Sequence, residues 1–349
     1  RRAKVRGDGP LPELRKDMVR DNWVVIVADN ALKPGQFPIN RNQVSSHFDG
    51  SDCPFCEGHE ARTTQEIAAV RLQGSLPDAP GWLVRTVPNK FAAFNLEGEL
   101  HRSHTGLFEC FNGLGHHEVV VETPWHYQEI HQRSPEHIGH LYRLLRQRYQ
   151  DLKQDSRIKY IQIYKNRGLF AGASQQHSHS QILAYPMVPE QSAPIRRYYQ
   201  KHRRCLICDT IEAEKAKKVR IVAETDYFLL LCPYASRFSY EAWIIPKTHT
   251  EHYDGISDLE IEDLAVISKA YVGAMMNALD QPAYNISINT APVNNGEERG
   301  YHWFMEITPR LMVMNAVEIG TGFYMNPVAP ERAAQILGQA IRDGREVGI

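Results

Sequence analysis

The sequence predicts an α+β fold built by duplication: two antiparallel-sheet halves, each with one long helix and a zinc clamp. Three observations carry this expectation. A Cys-x-x-Cys pair opens each half, Cys53/Cys56 and Cys205/Cys208. The stretch Glu118 to His126 parallels Glu241 to His249 at a constant spacing of 123 positions. The same spacing runs on into a helix start, Ser134-Pro135-Glu136 against Ser257-Asp258-Leu259-Glu260.

Each element has its own local reason. Trp23 to Val27 is aromatic and β-branched and reads as a strand. Glu118-Val119-Val120-Val121 and Ala242-Trp243-Ile244-Ile245 are short apolar runs ended nearby by proline, as buried strands are. Ser134 followed by Pro135 is an N-cap with proline at the first helical position, and Ser257 with Glu260 is a capping box. Ile138, Leu141, Leu145 and Leu152 form one apolar stripe; Ile261, Leu264, Ile267 and Met275 form the other. A strand follows each helix, Tyr160 to Tyr164 and Tyr284 to Ile288, and then a histidine-bearing segment. Residues 1–190 and 191–349 are read as the two halves, with a polar linker from about Pro186 to Arg204. Ala333 to Arg342 reads as a closing helix that Gly344 ends.

Composition narrows the function. A net charge of -1 lacks the basic excess of a protein that coats nucleic acid. No apolar run approaches the roughly 20 residues that cross a bilayer. The chain opens Arg1-Arg2-Ala3-Lys4 without an apolar segment, so a cytoplasmic protein is expected, with a segment ahead of Arg1 left open because Met is absent.

Paired cysteine spacing in a reducing compartment indicates metal ligation before disulfides. A tetrahedral zinc site takes two ligands from one such turn. His126 and His177 are the candidates to complete the first, and His249 and His302 the second. His126 and His249 match in repeat register. His302, counted back from Pro309, falls opposite His179 instead of His177, so His252 and Glu306 compete with it. A zinc-finger reader would place its histidines about 12 residues away, and these lie far downstream.

Chemistry concentrates between Lys165 and Gln181. Gly168 and Gly172 permit close approach of backbone amides to a phosphate. Strand alternation places His177, His179 and Gln181 on one face. One histidine can then hold metal while the next meets substrate. A neutral imidazole attacks phosphorus to give a phosphoramidate, provided that its far nitrogen is hydrogen-bonded and donors face the non-bridging oxygens. Gln181 and Ser174 suit that second role. A catalytic metal pair at His177 and His179 is the rival chemistry, but no nearby set of carboxylates and histidines supports it.

His177-Ser178-His179-Ser180-Gln181 resembles the His-Pro-His-x-Gln signature of the galactose-1-phosphate uridylyltransferase family, a branch of the histidine-triad superfamily. Cys53-Pro54-Phe55-Cys56, Val87-Pro88-Asn89-Lys90-Phe91 and Asn166-Arg167-Gly168 also look like family motifs. The resemblance implies a duplicated histidine-triad-like fold and ping-pong nucleotidyl transfer without an organic cofactor. His179 would be the nucleophile and His177, Cys53, Cys56 and His126 the metal ligands. Asn89, Asn166, Gly172, Ser174 and Gln181 would hold nucleotide and phosphates. Cys205, Cys208, His249 and His302 would hold a second structural zinc, or iron. A homodimer is implied by analogy.

Two departures bear on the substrate. Where uridylyltransferases carry a pair of arginines, this chain has Asn30 and Lys33, and lysine lacks the bidentate fork for phosphate. Near the C-terminus Glu318 remains, but Gly320, Gly322 and Tyr324 stand where a glutamine belongs. This glycine-rich loop looks more like the plant-type branch that includes ADP-glucose phosphorylase. The expected partners are a nucleotide sugar, ADP-glucose or UDP-glucose, with inorganic phosphate or a hexose 1-phosphate as acceptor. The competing readings are a diadenosine-polyphosphate phosphorylase or hydrolase and a non-catalytic, zinc-clamped nucleotide-binding protein.

Overall fold

A computed structural model describes residues 12–27 and 50–346. The first described elements form a hairpin of β1 (Glu13–Asp17) and β2 (Asn22–Ile26). β3 (Ala68–Arg71) and β4 (Trp82–Pro88) follow, then an outlying hairpin of β5 (Arg102–Thr105) and β6 (Phe108–Phe111). β7 (His116–Val121), α1 (Pro135–Leu152), β8 (Tyr160–Arg167) and β9 (His179–Tyr185) complete the first half. The second half opens with α2 (Ala193–His202) and α3 (Leu206–Lys217). It continues through β10 (Ile221–Glu224), β11 (Phe228–Leu231), β12 (Ala242–Pro246), α4 (Asp258–Ala278), β13 (Tyr284–Asn289) and β14 (Phe304–Pro309). α5 (Ala316–Thr321), β15 (Tyr324–Asn326) and α6 (Pro330–Glu346) close it.

The two long helices start where their caps predict. Ser134 accepts a hydrogen bond from the His137 amide at 3.1 Å, and Ser257 with Glu260 forms a reciprocal capping box. Each half adds five strands to one antiparallel sheet, in the order β10-β11-β12-β14-β13-β8-β9-β7-β4-β3. The halves meet edge to edge at β13 and β8, which pair antiparallel with Ser287 opposite Tyr164.

Strand alternation sorts the residues between the two faces of this sheet. Val120, Ile161, Ile163, Ile182, Ile244 and Ile286 turn to the face covered by α1 and α4 and share their core. There Tyr142 of α1 donates to Ser268 of α4 at 2.8 Å. Residues of the opposite parity, among them His179, Gln181, Tyr164, Asn166 and Asn285, turn away from the helices. The N-terminal hairpin joins β15 in a small sheet of order β1-β2-β15. Arg20, beside it, pairs with Asp17 and with Glu306 of β14. Among the described residues no helix is long and apolar enough to cross a membrane.

Three local expectations are corrected. The polar segment between the halves is largely helical, because Pro194 occupies the first turn of α2, where its missing N–H costs nothing. The closing helix begins at Pro330 and runs past Gly344, at which an added Cβ would meet nothing within 4 Å. The glycine-rich segment is no loop. Gly320 lies inside α5, and Gly322, at φ 68°, is its left-handed C-cap.

Candidate active site and metal centres

The turn between β8 and β9 needs its glycines. β8 ends at Arg167, Gly168 follows at φ 83°, and Gly172 at φ 85° closes a single helical turn over Leu169–Ala171. Both angles lie in the left-handed region that glycine adopts without strain. The chain then returns through Ser174, which is exposed, to His177 and His179, which are buried.

His179 is held in one tautomer. Its Nδ1 lies 2.8 Å from the carbonyl oxygen of His177. A carbonyl only accepts, so Nδ1 carries the proton and Nε2 keeps its lone pair. Burial pulls the proton affinity of this ring below the ordinary imidazole value, and the nearby Lys165 ammonium lowers it further against the pull of the His177 carbonyl. Both effects favour the neutral ring, with its lone pair on Nε2. The Phe55 ring packs beside it with centroids 5.4 Å apart.

Beneath the strand lies a charge cluster that sequence reasoning missed. Glu122 has no exposed side-chain surface and accepts hydrogen bonds from Arg133 at 2.9 Å and Lys165 at 3.0 Å. It also accepts from Ser178 at 2.8 Å and Ser180 at 2.6 Å. Burial opposes its ionisation, but Lys165 and Arg133, with the two hydroxyls, outweigh that and hold the carboxyl well below its ordinary range. The available signal was a glutamate and a lysine on the apolar parity of two strands.

The proposed nucleotide ligands divide. Asn166 at the end of β8 and Gln181 in β9 share the open face, with Gly172 beside Asn166; a Cβ at that glycine would stand 3.7 Å from Asn166 Nδ2. Asn89, just after β4, joins them through His117, whose Nε2 lies 2.9 Å from Asn89 Nδ2 and 2.8 Å from Gln181 Oε1. Glu318, Gly320 and Gly322 do not join them. Glu318 accepts the Asn315 amide at 2.9 Å as a helix cap and lines a separate cleft with Arg237, Phe238 and Tyr324. The glycine-rich loop expected to present amides to phosphate is therefore replaced by a capped helix whose amides are engaged within it. Lys33 lies outside the described residues.

Both cysteine–histidine sets come together. Cys53, Cys56, His126 and His177 place their donor atoms within 4.8 Å of one another, and so do Cys205, Cys208, His249 and His302. A tetrahedral zinc with its usual bond lengths separates sulfur from nitrogen by about 3.5 Å. The observed separations are 3.5 Å for Cys53–His177 and 3.3 Å for Cys56–His126, and 3.4 Å for both Cys208–His249 and Cys208–His302. His177 Nε2 donates to the Thr123 carbonyl at 2.7 Å and His302 Nε2 to the Pro246 carbonyl at 2.9 Å. Each bond leaves Nδ1 unprotonated and aimed at the sulfurs. Without a cation, burial and the neighbouring Cys53 push the Cys56 thiol up to about 12. A metal would reverse that by binding thiolate.

Thr123 and Pro246 stand in repeat register, so His302 is the counterpart of His177. The competing candidates are engaged elsewhere. His252 lies 3.4 Å from the Tyr149 hydroxyl, and Glu306 pairs with Arg20 and Arg237. Two residues beyond His302 stands Phe304, fully buried. The second half thus carries a cysteine–histidine cluster followed by an apolar ring, where the first carries a cluster followed by His179.

A duplicated antiparallel sheet, two Cys₂His₂ clusters and one neutral, oriented imidazole define a nucleotidyltransferase. The chain belongs to the galactose-1-phosphate uridyl transferase family: its N-terminal domain matches residues 84–189 and its C-terminal domain residues 191–333. The ADP-glucose phosphorylase of Arabidopsis thaliana is 34% identical, over 93% of this chain and 92% of that protein. The galactose-1-phosphate uridylyltransferase of Thermotoga maritima is 30% identical, over 94% and 98%. The crystal structure of the Arabidopsis phosphorylase with bound ADP-glucose superposes with a TM-score of 0.77, covering 94% of this chain and 98% of that one.

Proposed function

We propose that the protein transfers a nucleoside monophosphate from a nucleoside-diphosphate hexose to inorganic phosphate or a hexose 1-phosphate, in two displacements at His179. Nε2 attacks the α-phosphorus, a P–N bond forms, the P–O bond to the sugar phosphate breaks, and hexose 1-phosphate leaves. An oxygen of the acceptor phosphate then attacks the same phosphorus, the P–N bond breaks, and the imidazole returns neutral. The observation that carries this reading is the Nδ1–His177 carbonyl bond, which fixes the lone pair on Nε2.

ADP-glucose with inorganic phosphate is the preferred substrate pair. Its support is the likeness to the Arabidopsis phosphorylase, whose structure holds ADP-glucose. UDP-glucose with a hexose 1-phosphate is the second pair, supported by the uridylyltransferase relatives. Zinc is proposed at both clusters, since two thiolates and two imidazoles at tetrahedral spacing suit it. Elemental analysis distinguishes zinc from iron at the second. A homodimer is proposed from the family resemblance alone.

The test is ADP-glucose labelled on the α-phosphate. Label should stay on the protein after gel filtration, map to His179, and be discharged by phosphate. Absence of bound label, or full turnover by His179→Ala, would end the proposal.

A further inference from the structure

Three carboxamides face the proposed phosphate site, Asn89, Asn166 and Gln181. Which end of each points outward decides whether the site offers donors or acceptors. In all three the answer can be traced to a backbone group whose polarity is fixed.

Asn285, reaching across the seam from β13, places its Nδ2 2.8 Å from the Ala171 carbonyl oxygen and 2.7 Å from Asn166 Oδ1. A carbonyl accepts only, so this end of Asn285 is the NH₂, and the Asn166 atom it meets is the oxygen. The Asn166 NH₂ is thereby turned outward, over Gly172. The Ala93 amide donates to His117 Nδ1 at 3.1 Å, so that nitrogen is unprotonated and the proton sits on Nε2. His117 Nε2 then donates to Gln181 Oε1 at 2.8 Å, and the Tyr164 hydroxyl donates to the same oxygen at 3.0 Å. Gln181 is left with its NH₂ outward. Asn89 Oδ1 accepts the Phe91 amide at 2.9 Å, and its NH₂ lies beside an imidazole nitrogen that already holds a proton. Among the described residues no acceptor takes the outward protons of Asn166 or Gln181.

We infer that His117, Tyr164 and Asn285 are positioning residues that occupy the amide oxygens of Gln181 and Asn166, so that the site presents a fence of N–H donors selective for the anionic phosphates of the donor nucleotide. This rests on the reading of His179 as the nucleotidyl acceptor. A neutral nucleoside gains nothing from the arrangement, whereas a phosphate loses charge-assisted bonds if an oxygen is turned toward it.

The test compares binding of adenosine 5′-monophosphate with binding of adenosine, by calorimetry on the zinc-loaded protein, together with the steady-state constants for ADP-glucose. Asn285→Asp places a carboxylate against the Ala171 carbonyl and Asn166 Oδ1, and should turn the Asn166 amide over. His117→Leu and Tyr164→Phe remove the donors to Gln181. Each of the first two should weaken nucleotide binding by roughly 10- to 100-fold and raise KM for ADP-glucose, while adenosine binding changes less than about threefold. His117→Gln, which can donate from the same place, should recover most of the loss. Equal weakening of nucleotide and nucleoside would mark a merely structural role and overturn the inference, as would unchanged nucleotide affinity in His117→Leu. If Asn285→Asp does not fold, Tyr164→Phe, which alters one hydroxyl, still decides: it should weaken the nucleotide by roughly three- to tenfold and leave adenosine alone, and unchanged nucleotide affinity would overturn the inference. Failure of the function itself reads differently, because the unaltered protein would then take up no label at His179.

Discussion

Glu122 has no side-chain contact with solvent and holds together two cations and two hydroxyls under β9. Replacing it with glutamine leaves Lys165 and Arg133 without a counter-charge in a buried site. Breaking such a pair from one side costs about 3–5 kcal/mol. Urea unfolding of Glu122→Gln should register that loss, and a change under about 1 kcal/mol would show that water reaches the cluster. The carboxyl titrates below its ordinary 4.5, so the stability it lends is present above that pH and drains away only as the pH falls toward the folded value. His179 makes a kinetic prediction of the same kind. Its proton affinity is lowered from the ordinary 6.5, so the neutral ring that the proposed attack needs is still the majority form at that pH. Single-turnover labelling should therefore fall off on the acid side with its midpoint below pH 6.5. A decline centred at or above 6.5 would contradict the burial argument.

At the scale of elements, periodicity and caps made the centre of the fold legible in the sequence. The long helices begin at Ser134 and Ser257, where their N-caps stand, and the strands between them alternate as their burial demands. What was missed has local causes. Two glycines drew the 318–324 segment toward a loop, yet Asn315 and Glu318 are a capping box of the kind read correctly at Ser257. The register of His302 was ambiguous because residue counts from a distant proline do not reveal how the chain enters a strand. The pairing of Nε2 with the Thr123 and Pro246 carbonyls does reveal it. His117, Tyr164 and Asn285 were illegible because their role depends on which strands are neighbours, and β7-β9-β8-β13 is not the order of the chain. Caps also give the measurable consequence here. Ser257→Ala removes the acceptor for the Glu260 amide and should cost roughly 1 kcal/mol in denaturant unfolding. An unchanged midpoint would mean that packing of α4 alone sets its start.

For the whole molecule, the two cysteine–histidine clusters bring each half's cysteine turn to the end of its sheet. If both hold zinc, the native protein should contain about two equivalents, and chelation should lower the melting temperature because the metal binds the folded state preferentially. The two sites should differ in their effect on labelling. Cys56→Ser disturbs His177, two residues from His179, while Cys208→Ser disturbs a half whose corresponding position is Phe304. Each should lose one equivalent of zinc by elemental analysis, with labelling reduced further in Cys56→Ser than in Cys208→Ser. The reverse order would mean that the second cluster supports the nucleophile more directly than the first.

Because β8 and β13 are the inner neighbours of one another, severing the duplication would leave two fragments, each with a bare hydrogen-bonding edge. The fragment with His179 would also lose the hydrogen bond from Asn285 to Asn166. A single half could bury that edge only against a second copy of itself, so the continuous sheet depends on both halves being present.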